Sequence, residues 1–329
     1  MTATALTTLW HSGLASKNQV AEWISSGLVT INGQPVAADT PTTGGQTITV
    51  GHHQYTLYAT GSHGRVLVDL TNDASEGQIT GRRRVYCGLH KCLTKYTGTV
   101  LRRACRPPLG KAWRFRHFYH RHDVFYRECA DYDLCSVSGR IIDLDRFADI
   151  RVVRLVRDPR DLVVSGYHYH RRGGEHWCND PDPVDPEWEV VNASVTPGLA
   201  PGESLQDFLN RVPREQGIES EIGFRARHFQ TMLDWPEDPR VLVIRYEDIV
   251  GQERQALRRM LQFLGSPVTA RPLALRTAHR QRAGRQAGRN EHIRNPASGQ
   301  WREHFDDRLT DLYAERYGKL LERYGYPLH

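Results

Sequence analysis

The stretch 82–103, RRRVYCGLHKCLTKYTGTVLRR, places a short apolar run directly before a polar loop and an amphipathic helix. Val85–Cys87 is typical of a buried strand, and apolar residues recur at helical spacing after Tyr96. The loop 90–95 is rich in hydrogen-bond donors. A helix that follows such a loop offers an anion free backbone N–H groups and the positive end of its dipole, and Lys91 adds a full charge. The stretch predicts a phosphate site; the alternative is an ordinary strand–helix turn with exposed lysines.

Strand-like and helical patterns alternate from this stretch to the end of the chain. The apolar runs 151–156 and 240–245 predict buried strands, whereas 254–264 and 308–324 have the apolar spacing of amphipathic helices. This alternation predicts an α/β fold in which helices cover a P-loop-like parallel sheet. The polar segment 173–204 interrupts the pattern, and it is interpreted either as a lid over an acceptor site or as a solvated insertion.

A second donor-rich stretch, RLVRDPRDLVVSGYH at 154–168, links one of these strands to a helix. Asp158 is placed to cap the helix and Pro159 to begin it. Arg157 would leave the strand just ahead of the helix N-terminus, where an anion is favoured, and Ser165 would follow two turns later. Because arginine contacts phosphate bidentately, the stretch predicts a second phosphate site. The alternative is a surface corner with a cap and an ion pair.

Four stretches resemble, in the same order, the motifs of sulfotransferases that use 3′-phosphoadenosine 5′-phosphosulfate (PAPS). The stretch 154–168 meets every fixed position of that family's R-[ND]-P-[RK]-D-x-x-x-S-x-[YF] motif. Residues 245–249, RYEDI, are similar to its Tyr-Glu-Asp-[Leu/Ile] signature. Residues 293–305, IRNPASGQWREHF, resemble its R-K-G-x-x-G-[DE]-W-[KR]-x-x-F loop, and residues 90–96 resemble its P-K-[ST]-G-T-T-[WL] loop.

Two of these four motifs depart from the family pattern. The first loop retains Lys91 and Thr94, but Leu93 stands where the family has a glycine that lets the backbone approach a phosphate. In the last loop Asn295 and Pro296 replace Lys-Gly, and a proline has no N–H to donate. Backbone contacts to the donor are therefore expected to be fewer than in the family pattern.

The resemblance implies the sulfotransferase fold and in-line transfer of a sulfuryl group from PAPS to a hydroxyl or an amine. The product would be 3′-phosphoadenosine 5′-phosphate (PAP), and no metal is implied. Lys91 would neutralise the leaving oxygen, since positioning and charge stabilisation dominate such transfers. Donor binding is implied for Lys91, Thr94, Lys95, Tyr96, Thr97, Arg157, Ser165, Tyr246 and Arg294. The acceptor would be a small molecule or a glycan, and the sequence does not identify it.

A general base should accept the proton of the acceptor. The segment 116–123, RHFYHRHD, follows the first helix as the acceptor-side carboxylate does in some relatives. His117 and His120 are the candidates chosen from it. A zinc site made by His117, His120 and His122 is a rival interpretation that lacks a fourth ligand, and a plain basic aromatic face is another.

The first sixty residues have a different composition, because their only lysine, arginine, aspartate or glutamate residues are Lys17, Glu22 and Asp39. Residues 16–24 predict a capped helix. Residues 26–36 predict the end of that helix, a strand and an Asn-Gly hairpin turn.

This region resembles, over 14–51, the small RNA-binding module first seen in a ribosomal small-subunit protein. It predicts a small α+β domain at 1–60, a linker at 61–81 and a sulfotransferase-like α/β domain at 82–329. The basic helix face of the module family is reduced to Lys17, although RNA binding needs positive charge. RNA binding and a role in docking or dimer contacts therefore both stay open.

The net charge and the cysteine spacing indicate the class of ligand and the redox state of the compartment. The net charge of +6 and a pI near 9.0 suit an anionic ligand. The six cysteines form no C-x-x-C pair, which favours free thiols in a reducing compartment. No apolar run approaches the roughly 18 residues of a membrane span, and the N-terminus does not resemble a signal peptide. We therefore expect a cytoplasmic protein with no membrane contact.

Two other functions stay open. An RNA-binding or regulatory protein with a decayed nucleotide-binding fold is favoured by the N-terminal module and by Leu93, Asn295 and Pro296. A kinase of the P-loop class is opposed by the missing G-x-x-x-x-G-K-[ST] motif and by the lack of an obvious magnesium-binding aspartate after a strand. The oligomeric state is not readable from the sequence.

Overall fold

The computed structural model describes residues 3–58, 65–69, 78–184, 188, 191–281 and 296–329. The chain forms two compact units. The first comprises Met1–Glu76 and Tyr167–Arg227, and the second comprises Gly77–Gly166 and His228–His329. The division into domains at 60 and 81 stays a prediction.

The N-terminal segment forms a five-stranded antiparallel sheet in the order β2-β1-β3-β4-β5, with two helices. Its elements are α1 (Ala5–His11), α2 (Lys17–Ser25), β1 (Val29–Ile31), β2 (Gln34–Pro35), β3 (Thr47–Val50), β4 (His53–Tyr58) and β5 (Arg65–Asp69). As predicted, Ser16 caps α2 in a capping box with Gln19. Asn32 and Gly33 adopt the positive φ angles, 49° and 80°, that a tight hairpin turn requires.

Part of the predicted linker is regular structure. The strand β5 pairs with β4 and extends the N-terminal sheet, and the next strand begins at Ile79. Residues 65–69 of the predicted linker thus belong to the N-terminal sheet.

The second unit is built on a five-stranded sheet whose strand pairs are all parallel. Its order is β10-β9-β6-β8-β7. The strands are β6 (Ile79–Gly88), β7 (Phe115–His117), β8 (Leu134–Ser138), β9 (Phe147–Val156) and β10 (Val241–Arg245). The predicted α/β fold with a parallel sheet is confirmed.

Ten further helices were assigned in the described part of the chain after residue 78. They are α3 (Thr94–Ala104), α4 (His122–Glu128), α5 (Pro159–Arg171), α6 (Leu205–Arg211), α7 (Arg214–Phe224), α8 (Ala226–Asp234), α9 (Tyr246–Ile249), α10 (Glu253–Phe263), α11 (Arg271–Gln281) and α12 (Asp307–Arg323). None of the described helices is both long and apolar enough to cross a lipid bilayer. All six cysteines are buried free thiols, as their spacing predicted.

The strand order determines where a ligand can bind. From β6 the chain runs to β7 and β8 on one side, and it then crosses to β9 and β10 on the other side. In open parallel sheets, ligands bind beyond the carboxyl ends of the strands, at the point where the order reverses. That point lies at the end of β6, so the loop after Gly88 is at the centre of the expected site.

Several side chains of the segment 173–204 are buried. Trp177, Cys178 and Trp188 are buried, and the Trp177 ring stacks on Phe224 with centroids 5.5 Å apart. These buried side chains contradict the interpretation as a fully solvated insertion. The interpretation as a lid over an acceptor site stays a prediction.

Candidate functional site

The loop between β6 and α3 has an unusual backbone. Lys91 and Leu93 have φ angles of 67° and 53°, in the left-handed region that most side chains avoid at a cost of about 1–2 kcal/mol. Leu93 is the N-cap of α3, and its carbonyl accepts a hydrogen bond from the Thr97 N–H at 2.8 Å. The loop therefore adopts at Leu93 a conformation that a glycine would adopt without strain.

The side chains of this loop differ in exposure. Lys91, Thr94 and Tyr96 are half-buried, and Lys95 is exposed. The Tyr96 hydroxyl donates to the carbonyl oxygen of Ala278 at 3.3 Å, which links α3 to α11. The predicted phosphate contacts of these side chains stay a prediction.

Thr97 is buried, unlike the rest of the predicted phosphate contacts in this loop. Its hydroxyl lies beside that of Tyr86, whose pKa is raised mainly by burial. The Thr97 side chain therefore faces the sheet, and its role in donor binding is also only a prediction.

Arg157 lies where the sequence placed it, between the end of β9 and the start of α5. Its side chain is only 5% exposed, and its guanidinium carbon lies 4.3 Å from the centroid of the Tyr246 ring. Its Nη2 atom lies 3.7 Å from Oδ2 of Asp161. Among the described residues, its buried Nε has no hydrogen-bond acceptor. Arg157 is therefore held in place by a ring and a carboxylate while one N–H donor stays unused.

Asp161 fixes the loop 296–301 against this arginine. Its Oδ2 accepts a hydrogen bond from the N–H of Gly299 at 2.7 Å, and its Oδ1 accepts one from the N–H of Trp301 at 3.0 Å. Burial raises the pKa of this carboxyl, an effect that Arg157 and the two N–H groups oppose. On the other side, the Tyr246 hydroxyl donates to the carbonyl oxygen of Pro296 at 2.6 Å.

The start of α5 is also hydrogen-bonded to α9, the short helix that follows β10. Oδ1 of Asp158 accepts a hydrogen bond from the Arg160 N–H at 3.0 Å, so Asp158 acts as the predicted cap. The Asp158 N–H donates to Oε1 of Glu247 at 3.0 Å, and Tyr326 donates to Oε2 of the same carboxylate at 2.9 Å. The guanidinium of Arg160 stacks on the Trp301 ring, 3.7 Å from its centroid.

The three loops at this edge of the sheet lie close together. Cys92 is buried, and burial raises the pKa of its thiol, while Arg157 and Glu247 lie close enough to act on it electrostatically. The structure thus brings the loop of Lys91 together with Arg157 and Tyr246. Ser165 lies further along α5 and is half-buried. Arg294 lies outside the described residues.

The histidine candidates lie on the β7–β8 side. His117 ends β7 and hydrogen-bonds the backbone of Ser136, and its pKa is lowered to about 4, mainly by burial and further by Arg102. His120 follows β7 in a half-buried position. In the described ranges, no three or more histidine, cysteine, aspartate or glutamate side chains are grouped so that they could hold a metal, which contradicts the zinc interpretation.

His122 is a residue that sequence reasoning considered only as a metal ligand. Its Nε2 lies 3.2 Å from the carbonyl oxygen of Ser138, and Ser138 is paired with Gly88 at the start of the Lys91 loop. Since a carbonyl only accepts, Nε2 carries the proton and Nδ1 is left as the basic atom. No local sequence pattern signals this contact, because it spans 16 residues and depends on strand pairing.

The buried imidazole of His122 should make stability depend on pH. Burial, with a smaller effect of Arg140, lowers its pKa to about 4, whereas the contact with Ser138 and the charge of Asp123 oppose the shift. The contribution of the neutral His122 imidazole to the free energy of unfolding is complete above pH 6.5. As the pH falls from 6.5 to 4, only the unfolded chain takes up the proton, so the free energy of unfolding should fall by up to about 3 kcal/mol.

Urea denaturation at several pH values checks this expectation. His122→Asn keeps a donor for Ser138 but does not titrate, so it should lose less stability between pH 6.5 and 4 than the wild-type protein. His279→Asn, on the exposed face of α11, is the control. An identical pH profile for His122→Asn and the wild type would contradict a buried neutral imidazole.

Two family models match the chain. One, described as a sulfotransferase domain, covers residues 146–325, and another, described as an S4 domain, covers residues 6–48. The first match includes Arg157, Ser165 and Tyr246 but begins after the loop of Lys91. The two modules suggested by the sequence are therefore both confirmed.

The curated relatives are distant. Mouse Sulfotransferase 2B1 is 25% identical over 183 residues, which are 51% of this chain and 46% of that protein. Human Sulfotransferase 2B1 is 24% identical over 185 residues, 51% of this chain and 44% of that protein. The chain thus spans about half the length of the curated relatives it matches.

Solved structures are also similar at low identity. Mouse sulfotransferase SULT7A1 complexed with PAP is 16% identical with a TM-score of 0.45, over 73% of this chain and 85% of that one. Retinol dehydratase in complex with androsterone and PAP is 14% identical with a TM-score of 0.42, over 81% and 90% of the two chains. Similarity at this level does not support residue-by-residue comparison.

Proposed function

This chain belongs to the sulfotransferase family, and we propose that it transfers a sulfuryl group from PAPS to a hydroxyl or amine acceptor and releases PAP. The main support for the proposal is the state of Arg157. This arginine is buried at the carboxyl edge of a parallel sheet, and its Nε–H has no acceptor among the described residues. Burying a charged donor without an acceptor is costly, and an anion would satisfy it. The site thus fits a ligand that carries phosphate.

The 3′-phosphate of the donor would lie on the β9–β10 side. Arg157 would bind it, and Tyr246 and Asp161 would keep the guanidinium in place. The positive end of α5 favours negative charge at the same point. Ser165 and Arg294 stay proposed as further contacts to this phosphate.

The 5′ end of the donor would lie at the loop after β6. Thr94, Lys95, Tyr96 and Thr97 are proposed to hold the 5′-phosphate at the start of α3. In the reaction, the S–O bond to this phosphate breaks and a new bond to the acceptor forms. Lys91 would neutralise the charge that develops on the leaving oxygen.

The acceptor would then approach from the β8–β7 side, since β9 and β10 are occupied by the nucleotide. A small molecule or a glycan would fit this assignment. His117 and His120 are proposed as proton acceptors. His122 is proposed as a third, because its Nε2–H donates to the Ser138 carbonyl and leaves Nδ1 as the basic atom. The imidazoles of His117 and His122 are neutral at pH 7 and so have a lone pair for the acceptor proton, although their lowered pKa of about 4 makes each a weak base.

A decayed donor site is the second candidate function, and Leu93 is the residue that favours it. The identity of Leu93 favours this second candidate, but its backbone conformation favours the active enzyme. Leu93 has the left-handed conformation of a turn that a glycine would form. A protein of this second class would bind PAP but transfer nothing. RNA binding in which the N-terminal module takes part is proposed alongside either function.

Thermal unfolding with PAP and with ATP tests the donor site. At a hundred times its dissociation constant, PAP should stabilise the protein by about 2.7 kcal/mol, a shift of a few degrees, and ATP should give a smaller shift. Lys91→Ala should leave most of the PAP shift and reduce the transfer rate. No shift with PAP, or an equal shift with ATP, would contradict a site for a 3′-phosphorylated nucleotide.

A further inference from the structure

Positive charge is unevenly distributed along the chain. Residues 77–122 contain twelve lysine and arginine residues and no aspartate or glutamate, and residues 254–281 contain six arginines and no acidic residue. The described N-terminal segment 3–58 contains Lys17 against two acidic residues. The cations of the protein are therefore concentrated outside the S4-type module.

Packing of three helices brings the two basic segments together. The helix α11 packs against both α3 and α10. Apolar side chains of all three helices face inward, among them Leu101, Leu257 and Ala278. The outer sides of α3 and α10 therefore flank that of α11 on the second unit. Each helix has 11 residues and is about 16 Å long.

The outer side of these helices is basic. Its exposed arginines, here called the basic face, are Arg102, Arg254, Arg258, Arg259, Arg276 and Arg280. None of the six has a carboxylate within 4.0 Å among the residues that the structure describes. The only acidic residue in the three helices is Glu253, at the start of α10.

We propose that the basic face binds the phosphate backbone of single-stranded RNA. Cations that are spread over three helices suit a polymer with regularly spaced charges better than a small anion. Releasing counterions from several phosphates gives affinity without base contacts. The match to an S4 domain favours RNA over other polyanions, and because that module has Lys17 as its single lysine or arginine, most phosphate contacts are assigned to the basic face.

Fluorescence anisotropy with a labelled 20-nucleotide oligouridine and the full chain tests the proposal between 50 and 300 mM salt. The triple variant Arg258→Gln, Arg276→Gln, Arg280→Gln removes three contacts. The slope of log K against log salt should become less steep by about 2, which corresponds to about 100-fold weaker binding at 0.1 M salt. A matched control, Arg172→Gln, Arg214→Gln, Arg316→Gln, removes the same charge from exposed positions elsewhere and should bind like the wild type.

Several results would overturn the proposal. Equal losses in the two triple variants would show that only net charge matters. A loss with Lys17→Gln but not with the basic-face variant would assign RNA to the N-terminal module. Binding of heparin or of phosphatidylserine vesicles, but not of oligouridine, would assign the face to a glycan or a membrane. A retained PAP shift in the basic-face variant shows that it is folded, so failure here is distinguishable from failure of the donor site.

Discussion

Replacing Arg157 with alanine is expected to weaken PAP binding by about 4 kcal/mol, or roughly 1,000-fold. The residue is buried, and its Nε is an unused donor, so its loss removes the charge that would face the 3′-phosphate. Truncating one partner of a buried charge pair also leaves the other partner without compensation. Isothermal titration calorimetry with PAP measures the change directly.

Arg154, a buried arginine of β9, provides the control. Arg154 contacts the Tyr324 hydroxyl and the Trp235 ring. In the described residues no hydrogen bond or ion pair joins it to the candidate site, and it acts on Cys92 only electrostatically. Arg154→Ala should destabilise the fold yet leave PAP affinity nearly unchanged once the protein is folded. Arg157→Lys should retain part of the affinity, since it keeps the charge but not the bidentate geometry. Wild-type affinity in a folded Arg157→Ala protein would place the donor site elsewhere.

Replacing Asp161 with alanine is expected to lower the free energy of unfolding by about 4 kcal/mol. Two backbone N–H groups, of Gly299 and Trp301, would lose their acceptor, and Arg157 would lose its buried counter-charge. Urea denaturation followed by tryptophan fluorescence should show a midpoint lower by more than about 1 M. PAP binding should weaken as well, because Arg157 and the loop 296–301 would no longer be held together.

Two comparison variants sharpen this test. Asp161→Asn keeps one oxygen acceptor without the charge, so its loss should be about half that of alanine. Asp149→Ala removes an exposed aspartate that pairs with Arg82 on the surface, where such pairs contribute at most about 1 kcal/mol. If Asp161→Ala is no more destabilising than Asp149→Ala, Asp161 does not anchor the loop.

Features that depend on neighbouring residues, such as helix starts, were predictable from the sequence of this chain. Asp158 followed by Pro159 marks a helix start, and the structure places α5 there. The alternation of apolar runs with helical spacing is sufficient to predict a parallel sheet. It does not determine the strand order, because periodicity carries no information about which strands become neighbours. Residues 65–70 have a strand-like pattern, but their glycine-rich flanks are typical of linkers, so the pairing of β5 with the N-terminal sheet was not predicted.

Single residues of the site were predictable from the sequence, but the hydrogen bonds that join its segments were not. Family motifs singled out Arg157 and Tyr246 separately. The bond from Gly299 to Asp161 spans 138 residues, and the bond from Tyr246 to Pro296 spans 50, so no window of sequence contains either. At Leu93 the replacement of a glycine suggested fewer backbone contacts to a phosphate, yet the leucine has the left-handed backbone that a glycine adopts without strain.

The loop 296–301 is held by its main chain, and this bears on how such proteins diverge. Asp161 accepts two N–H groups and Tyr246 donates to one carbonyl, so the exposed side chains of Ala297 and Ser298 are not needed to hold its path. Trp301 is buried and carries the guanidinium of Arg160 on its ring. Pro296 supplies only a carbonyl, so its missing N–H does not weaken the clamp. Gly299, with φ at 78°, is the one position where a side chain would meet strain. The aspartate and the tyrosine can therefore keep the path of the loop while exposed residues between these anchors change.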